Sequence, residues 1–289
     1  MNLPNIRRLR TTIAIAALAL TLPMARANAL TFLELDYGNH LGTGYLTDAS
    51  GSAMKTILQA GGANTIETVS SLSAASMSLT SYDAIWVSNN VATTLAGSSL
   101  AGGDVTGLTN FLAAGKKVVM LGDKATTYFS TYDNSILGVV GGAYASNVAA
   151  VATLKGNTLA APSDQILTSG LTGSGVSFGG YSLFLTGSGS PEVLFNDGAV
   201  TPVDVPIAGL FHSGGGEALV ILDANWMASS GSINITTNQN TDFAHNILAW
   251  LSDPPASEAP EPASLALFGF GLLGMMGLGL RRRRVPATC

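Results

Sequence analysis

The chain has 289 residues, 47% of them hydrophobic, which excludes a largely disordered protein and leaves room for one sizeable folded unit. Only 11% are charged, and all eight arginines lie near the two ends; from Leu30 to Ala259 five lysines stand against seventeen acids, a net of −12. Phosphate binding needs clustered Lys or Arg, so a nucleic-acid-binding surface is excluded.

Taken in chain order, the first element is an address. Arg7, Arg8 and Arg10 precede an apolar run from Ile13 to Leu22, and Ala25-Arg26-Ala27 or Ala27-Asn28-Ala29 supplies small residues in A-x-A spacing. Basic flank, short apolar core and cleavage site together predict a signal peptide over 1–29, handed to the secretion machinery. The body over 30–251 then alternates strand-like and helix-like runs. Strands are predicted at Thr31–Asp36, Thr65–Val69, Tyr82–Ser88 and Lys117–Leu121. Helices are predicted at Ala49–Ala60, with Asp48 as N-cap, and at Asp104–Ala114, closed by Gly115.

The second half is more broken. Ser135–Val140, Leu183–Leu185, Val193–Phe195 and Ile207–Phe211 read as short strands, and Glu217–Leu222 as a strong one ending at Asp223. The Gly/Ser/Ala-rich stretch from Gly141 to Gly189 reads as an irregular insertion. A last helix over Asp242–Leu251 carries Phe243, Ile247, Leu248 and Leu251 on one face. Strand–helix alternation predicts an α/β domain of three layers around a mainly parallel sheet.

The chain ends in a second address. A Pro-rich linker over 252–262 closes on Pro260-Glu261-Pro262. An uncharged stretch over 263–280 follows, roughly 27 Å long as a helix and close to the ~30 Å of a bilayer core. Arg281, Arg282, Arg283 and Arg284 come next, at the head of a tail over 281–289, and the positive-inside rule keeps that end in the cytoplasm. A C-terminal transmembrane helix is therefore predicted, with the body outside. The one cysteine, Cys289, lies beyond it, so the body holds no disulfide and no thiol nucleophile.

The order Pro-Glu-Pro, short apolar helix, arginine cluster resembles the PEP-CTERM sorting signal. The resemblance implies an exosortase as partner, cleavage near the tripeptide, transient membrane anchoring, and association with exopolysaccharide and biofilm matrix. Separately, the body resembles the class I glutamine-amidotransferase-like, flavodoxin-like family. That likeness rests on the YDAIWVSNN strand and turn, the run Gly115 to Asp123, Pro162 to Leu171, and ALVILDANWM followed by a helix with Asn246 and Trp250. Such enzymes place a nucleophilic cysteine at the turn after a central strand; here that turn reads Gly122-Asp123-Lys124, so the fold carries over and glutamine hydrolysis does not.

Candidate chemistry in the body is sparse. Gly175-Val176-Ser177-Phe178-Gly179 satisfies G-x-S-x-G, with Asp223 and His245 following in the order Ser, Asp, His. A nucleophile elbow needs a buried strand before the serine and a helix after it, and neither is predicted, so a glycine-rich loop is the better reading. G-x-G-x-x-G at Gly269 to Gly274 falls inside the apolar span and is no dinucleotide site. His40, Asp123, His212 and Asp223 would meet on one rim if all their strands ran parallel, a ligand or divalent-metal site in outline. No close His spacing supports a metal, so neither metal nor cofactor is expected, and the surplus of acids reads as a solvated face.

The expectation is an exported, non-catalytic surface or matrix protein cut by an exosortase. The alternatives are a polysaccharide-directed hydrolase using Ser177 or the rim, and a carbohydrate-binding module with Tyr37, Tyr45 and Trp226 as stacking platforms.

Overall fold

A computed structural model of the chain describes residues 29–38, 45–88, 99–123, 129–148, 165–172, 175–179, 181–185, 189–196 and 206–253. The predicted signal peptide and transmembrane helix, the linker beyond Asp253 and the arginine tail lie outside them. Among the described residues no helix is long and apolar enough to cross a membrane.

Among the described residues are nine strands: β1 Thr31–Leu35, β2 Thr65–Val69, β3 Ala84–Val87, β4 Lys117–Leu121, β5 Tyr144–Val148, β6 Tyr181–Phe184, β7 Glu192–Asn196, β8 Pro206–Ser213 and β9 Gly216–Ile221. The helices are α1 Ser52–Leu58, α2 Gly102–Ala113, α3 Phe129–Val139, α4 Gln165–Thr168 and α5 Asn240–Ser252. Seven strands form one sheet in the order β2-β1-β3-β4-β9-β8-β7. The five from β2 to β9 run parallel, in the doubly wound arrangement, while β8 and β7 extend the sheet antiparallel. The sheet is thus mixed but mostly parallel. β5 and β6 form a separate antiparallel ribbon inside the stretch predicted to be irregular.

The three layers follow from strand alternation. In β4, Val119 and Leu121 face one side while Val118 and Met120 face the other; in β9, Leu219 and Ile221 oppose Ala218 and Val220. The first set packs under Met54 and Leu58 of α1 and Phe243, Ile247 and Trp250 of α5. The second packs under Leu108, Phe111 and Leu112 of α2 and Tyr132, Ile136 and Leu137 of α3. A sheet buried on both faces explains why these strands are near-continuous apolar runs.

Two local readings are corrected. Ser135–Val140 is not a strand: it is the second half of α3 and its exit, and Tyr132, Ile136 and Val139 recur at helical spacing on the buried face. Asp48 does not cap α1 directly. Its Oδ1 accepts from the Ser50 and Gly51 backbone N–H groups at 2.8 and 3.2 Å, closing the turn that leads in. Gly51 is obligatory there, because a Cβ would lie 1.7 Å from the Tyr45 carbonyl oxygen.

Candidate functional site

All five parallel strands end on the same edge, and the strand order reverses between β1 and β3, the place where open α/β sheets form a ligand crevice. Polar residues follow these ends in turn: Asp36 and Tyr37 after β1, Ser88 after β3, Asp123 after β4, Asp223 after β9. Just inside, Glu34 of β1 is fully buried. Its carboxylate accepts from the Leu46 N–H at 2.7 Å, the Ser88 hydroxyl at 2.6 Å and the Thr68 hydroxyl at 2.9 Å. Burial pushes the Glu34 carboxyl above its ordinary range more strongly than these bonds pull it down, and the nearby Asp36 adds to the rise.

The neighbouring polar groups are engaged in the same way. Asp36 accepts from the Gly38 N–H at 2.8 Å and the Thr47 hydroxyl at 2.7 Å. Asp104, in the first turn of α2, accepts from the Tyr37 hydroxyl at 2.6 Å, the Ser71 hydroxyl at 3.0 Å and the Leu72 N–H at 2.8 Å. Tyr37 is pushed upward by burial first and then by donating to that carboxylate. Tyr132, fully buried, donates to the Ser88 carbonyl at 2.7 Å, and burial raises it too.

Asp123 and Asp223 are neighbours on this rim, as the Leu121–Ile221 pairing requires. Asp223 accepts from the Gly179 N–H at 2.7 Å and the Asn225 N–H at 2.8 Å, and Asn225 Nδ2 returns a hydrogen bond to the Gly179 carbonyl. Complete burial, and next the charge of Asp123, lift the Asp223 carboxyl well above the usual carboxylate range.

His212 does not join them. β8 runs antiparallel, so His212 pairs with Glu217 near the start of β9, at the opposite edge of the sheet. There its Nε2 lies 2.8 Å from Glu192 Oε1 and its Nδ1 3.7 Å from Glu217 Oε1. The cause is the tight hairpin at Gly214-Gly215, whose φ values of +64° and +101° reverse the chain within two residues. That glycine run was the available signal against a four-member rim. His40 lies outside the described residues. Among the described residues no group of three His, Cys, Asp or Glu side chains is arranged to hold a metal.

The serine motif forms no elbow. Residues 175–179 cross the core without regular structure, Val176 and Phe178 packed inside. Ser177 is buried, and its hydroxyl accepts from Asn238 Nδ2 at 2.6 Å; His245 is exposed on α5, and Asp223 binds Gly179 and Asn225. Ser177 and Asp223 are therefore held by other partners, and His245 faces solvent. Of the proposed stacking aromatics, Tyr45 and Trp226 are buried, Trp226 against Phe243 with ring centroids 5.0 Å apart, and Tyr37 is partly covered.

Asn240, at the start of α5, was not foreseen. Fully buried, its Nδ2 donates to the carbonyls of Ser177 (3.1 Å), Trp226 (3.0 Å) and Asn234 (2.9 Å), and its Oδ1 accepts from the Ser177 N–H at 2.7 Å. An Asn opening a helix was the one signal, and it suggested a cap rather than a core knot.

Comparison with solved structures returns the same architecture in unrelated settings. The N-terminal domain of mmIFT52 matches with a TM-score of 0.56 at 14% identity, over 78% of this chain and 98% of that one. A cold-adapted β-galactosidase from Rahnella sp. R3 matches with a TM-score of 0.53 at 14% identity, over 81% of this chain but 33% of the enzyme. A glutamine amidotransferase from Thermotoga maritima matches at 6% identity with a TM-score of 0.44, over 66% and 74%. For the first two, at such identities, the likeness is one of fold alone. No curated protein matches the sequence as a relative. Comparison with protein families matches residues 258–284 to the PEP-CTERM protein-sorting motif. The chain carries that sorting motif, and with it the export, membrane anchoring and exosortase processing that the motif implies.

Proposed function

We propose that the protein is a non-catalytic component of the cell surface or extracellular matrix. On this reading an α/β body is exported, arrested by residues 263–280 and released or transferred by cleavage near Pro260-Glu261-Pro262. The observation that carries it is the sorting motif at 258–284, standing directly after a body that closes on α5. The engagement of the rim supports it: Glu34, Asp36, Asp104 and Asp223 each accept hydrogen bonds from the loops around them, so these acids act as ties of the fold. Association with exopolysaccharide is the setting this sorting route suggests.

Mass spectrometry of the protein from its own cells tests the reading. The expected species begins near Asn28 or Leu30, ends near the tripeptide, and fractionates with the surface polysaccharide. A chain still ending in Cys289 would count against processing, and a processed chain absent from that fraction would count against the matrix role.

A further inference from the structure

Both chain ends leave the body at one edge of the sheet. Phe32, Ala84, Lys117 and Glu217 form a single row across β1, β3, β4 and β9, close to the starts of the parallel strands. Just outside that row on one side stands Leu30, whose N–H donates to Asn64 Oδ1 at 3.0 Å. The other end is fixed to the same row by Lys117. This lysine is 5% exposed, and its Nζ donates to the carbonyls of Trp250 at 2.6 Å and Asp253 at 2.8 Å, at the end of α5. It also lies 5.1 Å from the Trp250 ring centre and 3.9 Å from Glu217 Oε2. With strands about 4.8 Å apart, β1 and β4 are separated by roughly 10 Å, so the two exits are neighbours. The acid-lined rim with Asp36, Asp123 and Asp223 is at the far edge.

We infer that the edge bearing Leu30 and the Lys117 clamp faces the membrane in the anchored precursor, and that the switch-point rim is held outward, away from lipid. The inference rests on the anchoring that the sorting motif implies. Its geometry comes from lengths. Beyond the clamped Asp253, nine residues of the linker remain, Pro254 to Pro262, which fully extended reach about 28 Å at ~3.1 Å per residue. A folded body of about 220 residues has a radius of gyration of ~17 Å and is roughly 45 Å across. A tether fixed at the lower edge is thus too short for the body to turn its upper edge onto the bilayer.

The body contains no cysteine, so single probes report the orientation cleanly. Ser70, exposed just after β2, marks the rim edge, and Ser81, exposed just before β3, marks the clamp edge. The full-length precursor carrying Cys289→Ser with either Ser70→Cys or Ser81→Cys is labelled with bimane. It is then reconstituted into vesicles of phosphatidylethanolamine and phosphatidylglycerol containing a nitroxide-headgroup lipid. In floated vesicles, quenching at position 81 is expected to exceed that at position 70 at least twofold. Inserting about thirty Gly/Ser residues after Asp253 lengthens the tether past the body's diameter and is expected to erase the difference. Equal or reversed quenching in floated material would overturn the orientation alone. Failure of the precursor to float with vesicles would overturn the anchoring and the orientation with it.

Discussion

Asn240→Ala is the sharpest test of what holds the second half of the body together. Its side chain bonds three carbonyls and one N–H, and those groups belong to three segments without regular structure: 175–179, the turn at Asn225–Met227, and the approach to α5. Truncation strands three of these groups in a site with no measurable exposure, while the Asn234 carbonyl keeps the Thr237 N–H at 2.9 Å. A buried polar group without a partner costs about 1–3 kcal/mol, and water entering the small cavity recovers part of that, so a loss of about 4 kcal/mol is expected. With a urea dependence near 2 kcal/mol/M, the unfolding midpoint of the purified mature protein should fall by about 2 M at pH 7. Asn240→Asp gives the control on mechanism. It keeps an acceptor for the Ser177 N–H but turns a second oxygen toward three carbonyls, which favours the protonated carboxyl in the fold. Its folded pKa then exceeds its unfolded one, so the variant is most stable at acid pH and weakens as pH rises. A midpoint within 0.5 M of the parent for Asn240→Ala, or an Asn240→Asp variant indifferent to pH, would refute the assignment of Asn240 as the knot.

Glu34→Gln preserves every hydrogen bond: the amide oxygen accepts from Leu46 and Ser88, and its NH2 donates to the Thr68 hydroxyl. Because the folded Glu34 carboxyl titrates above its unfolded value, the parent is fully stabilised below the ordinary carboxylate range and loses stability as pH rises through the raised value. Thermal melts should therefore show the variant ahead of the parent at pH 8 and level with it at pH 4; a constant offset would refute the account. Lys117→Met removes two charge-assisted bonds to the end of α5 and is expected to cost about 2–3 kcal/mol, read by urea unfolding. Amide exchange should accelerate at Ala249 to Asp253 before it does in β4.

The parallel half of the fold was legible because each strand there is buried on both faces. Such strands appear as short apolar runs with turn residues at each end, and Tyr82–Ser88, Lys117–Leu121 and Glu217–Leu222 all became strands within two residues of their predicted bounds. The antiparallel half was legible in its pieces but not in its direction. β8 was located, yet its sense depended on the two-residue hairpin at Gly214-Gly215. The misassigned segment of α3 has the same kind of cause, since Ile136, Leu137, Val139 and Val140 bunch into a run that resembles a strand unless Tyr132 is counted with them. The candidate rim was half legible: Asp123 and Asp223 follow their strands by simple chain order, whereas the ties through Glu34, Asp104 and Asn240 join residues distant in sequence and leave no local pattern.

Those ties also change the meaning of the charge count. Among the described residues Glu34, Asp36, Asp104, Asp123, Asp133 and Asp223 are buried, against one buried cation, Lys117. The surplus therefore describes the interior as much as the surface. Carboxylates stand as acceptors for the N–H and hydroxyl groups of the loops, and a short Asp side chain closes a turn on its own backbone, as Asp36, Asp48 and Asp223 do. A surface less acidic than −12 suggests owes less of its solubility to repulsion and more to hydroxyls and amides. Among the described residues, the loops of the body are tied by backbone N–H and hydroxyl groups donating to buried carboxylates, and that network joins the strand ends to the segments that follow them.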